Sequence, residues 1–255
     1  MHNGIDRDFG YYGFYKDLGM IIYSYQRNTL HSFLIRRNKK TEILDSQTYV
    51  LRRFDMKNVI TISRQFGSLG RHIGMHVAEI MGYEYIDRDI LEDTAKEMDV
   101  SLERLLLLED KHIRGYQRMA YPFGYGDGVM QRKMFMVQSE LIRKYAEKEN
   151  CVIIGRCADY ILREEESVLS VFIYAPYLDR IANSVDKLKL KAEEAKIIVD
   201  EVDYAREKCY ERFTKTKYNT TNYRDLLINS SIMGRHKTAE FIANMAKEYF
   251  AKFEK

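Results

Sequence analysis

The sequence predicts an α/β fold in which a five-stranded parallel sheet is flanked by helices. Two observations predict this fold class. From residue 56 onward, short runs of strand-forming residues alternate with long helical patterns, as expected for strands joined by crossover helices. The strand runs are apolar almost throughout, because central parallel strands are covered on both faces. The pattern therefore indicates a doubly wound sheet.

The strands and helices follow one another in a regular order. The strand runs are NVITIS at 58–63, YEYI at 83–86, CVII at 151–154, VLSVFIYA at 168–175 and DLLINS at 225–230. The helical stretches are 71–81, 88–98, 101–113, 130–149, 156–163, 177–186, 191–213 and 235–253. Doubly wound sheets bind their ligands beyond the carboxyl ends of the strands, so site residues should directly follow the strands.

The first 55 residues differ from the rest of the chain. They are rich in tyrosine and phenylalanine, carry the basic cluster RRNKK at 36–40, and lack a clear helical or strand period. We therefore divide the chain into an N-terminal extension, residues 1–55, and one domain, residues 56–255. Two interpretations stay open: an upstream extension of the reading frame with Met56 as the native start, or a genuine small appendage. A peptide from residues 1–50 in the endogenous protein would exclude the first.

The composition argues against several classes of function. The 41 basic and 38 acidic side chains leave a net charge of +3, which is too small to indicate a nucleic-acid partner. No apolar run approaches the length of about 18 residues that predicts a membrane span, and no signal-peptide pattern opens the chain. Cys151, Cys157 and Cys209 form no CxxC pair, which favours reduced thiols over a disulfide or zinc site. We expect a cytoplasmic protein; the sequence does not indicate its oligomeric state.

The turn after the first strand is a candidate anion site. It has the sequence SRQFGSLGRHIG at 63–74 and leads directly into a helix. Glycines allow backbone amides to approach an anion, and the helix start adds a partial positive charge. Arg64 and Arg71 would add full charges. The strict pattern GxxxxGK[ST] is not satisfied, because Gln65, Arg71 and His72 replace its first glycine, its lysine and its hydroxyl. A plain glycine-containing turn is the alternative.

Several segments, in order, resemble the cytidylate kinase-like family, which comprises divergent relatives of the cytidine monophosphate kinases. The matching segments are ITISRQFGSLGRHIG at 60–74, YIDRDIL at 85–91, QSELIRKYAEKENCVIIGRCADYIL at 138–162, VFIYAPYLDRI at 171–181 and EEAKIIVDEVDYAREKCYERFT at 193–214. The last segment ends near NYRDLLINSS at 222–231. Together they cover nearly everything from 56 to 234. The resemblance implies a P-loop kinase-like fold with a helical lid.

The resemblance also implies an activity and its cofactors. The chain would be a phosphotransferase that uses ATP and Mg²⁺ to phosphorylate a nucleoside monophosphate, CMP or dCMP, so its partners would be small nucleotides. Gly67, Ser68, Gly70 and Arg71 would bind the ATP phosphates. The turn departs from the family at Leu69, which replaces a glycine, and a hydroxyl for magnesium is either missing or supplied by Ser68.

The acceptor nucleotide would be bound by residues after the second and third strands. Asp87 and Arg88 would face the nucleoside monophosphate. Arg156 would bind its phosphate, and Asp159 would contact its sugar or base. Cys157 stands where the kinases proper have an aspartate.

Two further arginines would complete the catalytic set with Arg71. Arg180 and Arg206 would close over the transferring group as lid arginines, with Arg206 in the DxxR unit that begins at Asp203. Arginine suits this work because its planar fork binds phosphate oxygens in pairs and stays charged. Tyr204 replaces a lysine that is common in this segment of the family.

Structural alternatives remain for these residues. Arg156 and Arg180 lie in first helical turns, where solvated arginines are common. Asp87 would serve equally well as a helix cap. Asp203 and Arg206, at i and i+3, would form a surface ion pair.

For three other features of the sequence we expect a structural role and no ligand-binding role. His72 and His76 have metal-ligand spacing without an evident third ligand, so a solvated face is expected. The aromatic loop at 121–128 would pack against the core rather than stack on a base. The charged helix at 191–213 would be a solvated, partly mobile lid.

At the level of function, three hypotheses follow. The first is the nucleoside monophosphate kinase. The second is a non-catalytic nucleotide-binding or regulatory protein on the same fold. The third is a kinase for another small phosphate acceptor.

Overall fold

A computed structural model describes residues 57–87, 89–101 and 128–253, together with the backbone of four short strands nearer the N-terminus. The chain divides into two compact units, Met1–Met56 and Lys57–Lys255. The described strands of the first unit form two antiparallel pairs. They are β1 Gly13–Tyr15, β2 Met20–Ile22, β3 Phe33–Arg37 and β4 Lys40–Leu44. The sequence showed no strand period there, because strands of three to five residues are too short to establish one.

The second unit contains the predicted five-stranded parallel sheet. Its strands are β5 Val59–Arg64, β6 Glu84–Ile86, β7 Cys151–Ile154, β8 Val168–Tyr174 and β9 Leu226–Asn229. They lie in the order β6-β7-β5-β8-β9, and every neighbouring pair is parallel. The sheet predicted from the sequence is confirmed, and the observed strand ends differ from the predicted ends by one residue at most.

The described helices agree with most of the predicted ones. They are α1 Gly70–Met81, α2 Asp89–Glu97, α3 Gly128–Lys148, α4 Ala158–Ile161, α5 Tyr177–Leu188, α6 Ala192–Thr214 and α7 Ser230–Phe250. Gly234 interrupts α7 with φ 72° and ψ 175°, which explains why the helical pattern in the sequence begins only at 235. Apart from Ser101 and Gly128, the predicted helix 101–113 and the aromatic loop 121–128 lie outside the described residues. None of the described helices is long and apolar enough to cross a lipid bilayer.

The sheet is buried on both faces because its strands carry apolar residues on both sides. Val59, Ile60 and Ile62 of β5 are fully buried, and so are Val152 and Ile153 of β7. Helices α1 and α7 cover one face of the sheet and contribute to the same core cluster. Central parallel strands of this composition are stable only when both faces are covered.

Helix α6 is packed more closely than a solvated lid. Its residues Ile198, Val199 and Val202 are buried and pack against Phe66 in the turn after β5. Most of its charged residues lie on the opposite face, whereas Asp203 and Arg206 lie on the side of the turn. The prediction of a merely solvated helix is therefore wrong for the face that contacts the turn.

The strand order determines where a ligand can bind. The chain passes from β5 over β7 to the edge strand β6, and later crosses β5 in the opposite direction to reach β8. The order of the strands thus reverses at β5, and the crevice at such a switch point is the usual ligand site. The turn that follows β5 lies there.

A buried ion pair anchors the segment between α6 and β9 beneath this crevice. The Nε and Nη2 atoms of Arg224 each lie 3.1 Å from Oδ2 of Asp159, and both side chains are fully buried. The Arg224 guanidinium also lies over the rings of Phe172, Tyr210 and Tyr218, at 4.4, 5.3 and 5.3 Å. The pair therefore joins the sheet, α6 and the following segment.

We expect Arg224→Met to lower the free energy of unfolding by about 3–5 kcal/mol, because it leaves the Asp159 carboxyl group buried without its cation. Urea denaturation measures the change. Lys96→Met is the control, since it breaks the exposed Lys96–Asp93 pair and should leave the urea midpoint unchanged. Equal midpoints for the Arg224→Met protein and the wild type would contradict a stabilising role for the buried pair.

Candidate functional site

A cleft of about 640 Å³ opens at the carboxyl ends of β5, β6 and β7. Its walls include the turn after β5, the residues that follow β6 and β7, and parts of α5 and α6. The cations Arg64, Arg71, Arg156, Lys187 and Arg206 line it. Four segments that are distant in the sequence thus place five positively charged side chains in one crevice.

The turn after β5 has a conformation that only its glycines allow without strain. Gly67 has φ 77°, and a Cβ atom there would overlap the carbonyl oxygen of Arg180. A Cβ atom on Gly70 would lie 2.6 Å from Cβ of Arg64. Leu69 also has a left-handed backbone, with φ 61°, at the position where the family has glycine. A non-glycine residue in that region costs about 1–2 kcal/mol.

The backbone amides of the turn fall into two groups. The amides of Arg64, Gln65 and Phe66 donate to Tyr218 Oη, Ile173 O and Asp203 Oδ1, at 3.2, 3.0 and 2.7 Å. Within the described part of the chain, the amides of residues 67–72 find no acceptor, and the first helical bond runs from Ile73 N to Leu69 O. These free amides stand at the positive end of α1, which is an arrangement that binds anions.

Ser68 is the one hydroxyl in this turn, and it is fully buried. Its Oγ donates to Gln65 O at 2.9 Å, and its carbonyl oxygen accepts from Ser230 Oγ at 2.8 Å. Its backbone amide is free, whereas its hydroxyl group is engaged inside the turn.

Arg71 and Asp87 meet within the cleft. The Nε atom of Arg71 lies 2.5 Å from Oδ2 of Asp87, and both residues line the cavity. Arg156 donates from Nε to the Asp87 carbonyl oxygen at 3.4 Å and from Nη1 to Gln138 Oε1 at 3.1 Å. Arg71, which was predicted to bind ATP, therefore lies next to Asp87, which was predicted to bind the nucleoside monophosphate. Arg88 lies outside the described residues.

Arg180 is held against the backbone of the turn. It is 8% exposed, and it donates to Phe66 O and to Ala175 O, each at 3.2 Å. Its Nη1 also pairs with Asp203, the carboxylate that accepts from the Phe66 amide. Arg180 thus holds the carbonyl group of Phe66, and Asp203 holds its amide. We call this arrangement of Arg180 and Asp203 the Phe66 clamp. The alternative of a solvated Arg180 is excluded, since the clamp buries it.

Arg206 lies beside the clamp and also reaches the cleft. It is 8% exposed, donates to Arg64 O at 3.1 Å and lies 5.7 Å from the centre of the Phe66 ring. Burial, followed by the charge of Arg64, lowers the pKa of Arg206 to about 10, so it stays cationic at neutral pH. The expected surface pair of Asp203 with Arg206 is also wrong, because Asp203 pairs with Arg180 and both arginines are buried.

Asp159 lies beneath the cleft, and it is not among the residues that line it. Its carboxylate is 1% exposed and accepts from Ser63 Oγ and Tyr210 Oη, each at 3.2 Å, as well as from Arg224. Burial raises the pKa of Asp159, and the Arg224 charge opposes that rise. Contact with a substrate would require the carboxylate to leave these partners.

Two polar side chains of the site were missed by the sequence analysis. Tyr218 binds both the amide and the carbonyl group of Arg64 through its hydroxyl, and Asn183 donates to Gly67 O at 2.9 Å. Tyr218 belongs to the polar stretch TKTKYNTT at 214–221, where a single ring is the only signal. Asn183 lies in a helical pattern that gives no hint of a contact 116 residues away.

The histidines and cysteines do not gather into a metal site within the described ranges. His76 bonds to Glu79 at 2.8 Å, and burial lowers the pKa of His72. All three cysteines are free thiols. Burial raises the pKa of Cys151 and of Cys209 to about 12.

Comparison with known proteins identifies relatives of most of the second unit. The profile of the cytidylate kinase-like family matches residues 59–232. A cytidylate kinase from Thermoplasma volcanium is 22% identical over 195 residues, which cover 76% of this chain and 93% of that protein.

One solved structure shares the fold at a TM-score above 0.5, and a second is similar at a lower score. An uncharacterized protein from Eubacterium ventriosum superposes with a TM-score of 0.58 at 20% identity, covering 75% of this chain and 99% of that one. A shikimate kinase from Acinetobacter baumannii superposes with a TM-score of 0.44 at 14% identity, covering 76% and 96%. The resemblance noted in the sequence is confirmed by the family match, which spans more than half of the chain. The protein belongs to the cytidylate kinase-like family, a family of the nucleotide kinase type.

Proposed function

We propose that this protein transfers the γ-phosphoryl group of ATP to a nucleoside monophosphate, with CMP or dCMP as the acceptor. The observation that carries the proposal is that the amides of residues 67–72 find no acceptor among the described residues, and that all of these residues except Ser68 line a cleft with arginines from several segments. Phosphoryl transfer needs little covalent help from a protein, and positioning and charge neutralisation supply most of the catalysis. A cleft of this kind provides both.

The donor triphosphate would bind at the turn after β5. The amides of Gly67, Ser68 and Gly70 would hold its phosphate oxygens, with Arg64 and Arg71 supplying full positive charges. These groups fit a polyanion, because they are preorganised donors and two cations on one side of the cleft.

The acceptor would bind on the side of β6 and β7. Arg156 would bind its phosphate, Asp87 would accept hydrogen bonds from its hydroxyl groups, and Arg88 and Asp159 complete the proposed set. An oxygen of the acceptor phosphate would attack the γ-phosphorus while the bond to the ADP oxygen breaks, so the products are ADP and a nucleoside diphosphate. Arg71, Arg180 and Arg206 would serve this step: Arg71 and Arg206 as cations in the cleft, and Arg180 through the Phe66 clamp.

A magnesium ion bound with the donor would supply charge neutralisation for its phosphates. The buried, engaged hydroxyl of Ser68 does not fit a direct metal ligand. Asp87 and Glu92 are the carboxylates among the described residues that line the cleft. The ligands of a Mg²⁺ ion in this cleft would therefore be phosphates and waters, with these two carboxylates as the available side chains.

A non-catalytic nucleotide-binding role is the second candidate, and one observation favours it. Leu69 places a side chain at the centre of the turn, and the position of the usual phosphate-loop lysine is occupied by Arg71, which is already paired with Asp87. Such a protein would bind ATP without turnover.

A coupled ADP-release assay with ATP, Mg²⁺ and a panel of CMP, dCMP, UMP, AMP and GMP separates the candidates. We expect turnover with CMP or dCMP above the other acceptors. Measurable ATP binding without turnover on any acceptor would establish the non-catalytic role instead.

We expect Gly67→Ala to abolish measurable ATP binding, because the added Cβ atom collides with the Arg180 carbonyl oxygen and displaces the free amides. Isothermal titration calorimetry with ATP measures the loss. Gly82→Ala is the matched control: Gly82 also has a positive φ of 66°, yet a Cβ atom there meets nothing within 4 Å. The control shares the backbone strain and should bind ATP like the wild type. Equal affinities for all three proteins would remove the turn from the donor site.

We expect Arg206→Ala to lower kcat by about 10³-fold, as the loss of a transition-state arginine does. The same coupled assay measures it, and thermal melting verifies that the variant is folded. Arg206→Lys keeps the charge and should recover part of the rate. Lys208→Ala, an exposed cation two residues along the same helix, is the control and should retain the wild-type rate. A wild-type rate for Arg206→Ala would exclude Arg206 from the mechanism.

A further inference from the structure

The ion pair of Arg71 with Asp87 joins the two halves of the cleft. Arg71 is the second residue of α1 and belongs to the proposed donor site. Asp87 directly follows β6, the edge strand, and belongs to the proposed acceptor site. Strand β7 lies between β6 and β5 in the sheet, so the pair spans the carboxyl ends of three strands.

The ion pair neutralises the Asp87 carboxylate, which has few other polar contacts. The Asp87 side chain is 13% exposed, and its Oδ2 atom is buried without a well-aligned hydrogen bond in the part of the chain that the structure describes. Arg156 contacts the carbonyl oxygen of Asp87 and thereby fixes the backbone. The Arg71 side chain is more accessible, at 37% exposed, so a ligand can reach it.

A guanidinium group that binds phosphate oxygens with its planar fork has fewer donors left for a carboxylate, and its charge is shared between the two partners. In the unliganded protein Arg71 neutralises Asp87, while the free amides of residues 67–72 lie on the same helix end. A triphosphate bound there carries several negative charges and competes with a single carboxylate for Arg71. When Arg71 turns to the phosphates, Asp87 loses its cation and becomes available as a hydrogen-bond acceptor.

We propose that Arg71 is shared between the two substrate sites, so that binding of the donor triphosphate releases Asp87 to accept hydrogen bonds from the hydroxyl groups of the acceptor nucleotide. The proposal rests on the function proposed above, and adds to it a coupling between the two sites: bound donor strengthens the binding of the acceptor. Coupling between two binding sites is reciprocal, so the acceptor strengthens donor binding by the same factor.

Calorimetric titration tests the coupling without relying on turnover. CMP is titrated into the full-length protein in Mg²⁺ buffer, with and without saturating adenosine 5′-(β,γ-imido)triphosphate, which is not hydrolysed. We expect the donor analogue to lower the Kd for CMP by about 10-fold, within the usual range for coupled sites.

Two substitutions separate the ion pair from a general effect of charge. Arg71→Gln should bind CMP without the analogue as tightly as the wild type binds it with the analogue, because Asp87 is already released. Asp87→Asn should bind CMP weakly in both conditions. In both variants the ratio of the two Kd values should fall to about 1, since the shared group has been lost.

Two matched controls come from the same cleft. Lys187→Gln removes a cation and Glu92→Gln removes a carboxylate, and neither residue belongs to the pair. Each is expected to change the absolute affinities while keeping the 10-fold ratio of the wild type.

The outcomes distinguish this inference from the proposed function. If the wild type binds both nucleotides with a ratio of 1, or if Arg71→Gln retains the full ratio, the shared-arginine inference is overturned and the kinase proposal stands. If neither nucleotide binds to the wild type, the proposed function fails and the inference fails with it.

Discussion

The site depends on the way in which the backbone at Phe66 is held. The Asp203 carboxylate accepts a hydrogen bond from the Phe66 amide. Arg180 donates a hydrogen bond to the Phe66 carbonyl oxygen and forms an ion pair with Asp203. This clamp bends the chain away from β8 directly after the Gln65 amide has made its last sheet bond. The amides of the six following residues find no acceptor among the described residues, and all six residues except the buried Ser68 line the cleft. Helix α6 supplies Asp203, and its buried face secures that position against the Phe66 ring.

The sequence was sufficient to predict the sheet and most of the described helices. Parallel strands that are covered on both faces must be apolar almost throughout, so their limits are visible in composition alone. Glycines at 67 and 70 likewise indicated a turn that approaches an anion. The pairs of short strands before residue 45 were not predicted, because runs of three to five residues carry too few side chains to show a period.

The orientation of the side chains in the site was not predictable in the same way. Sequence analysis named Arg180 and Arg206 as lid arginines, yet it could not show that burial turns Arg180 onto the turn and leaves Arg206 in the cleft. The contact of Tyr218 with Arg64 spans 154 residues of chain. No local pattern encodes such a contact, since it depends on how α6 and β9 are placed by the sheet.

The attachment of α5 to the turn has a consequence for inhibition. Asn183 donates to Gly67 O, and the Arg180 carbonyl oxygen lies against the Gly67 backbone, so the start of α5 and the turn form one mechanical unit. A small molecule wedged between this helix and the turn would tilt the row of amides while leaving the nucleotide pocket unobstructed. If the amides bind ATP as proposed, such a compound would act allosterically by lowering the affinity for ATP, and bound ATP would in turn weaken the binding of the compound by the same factor.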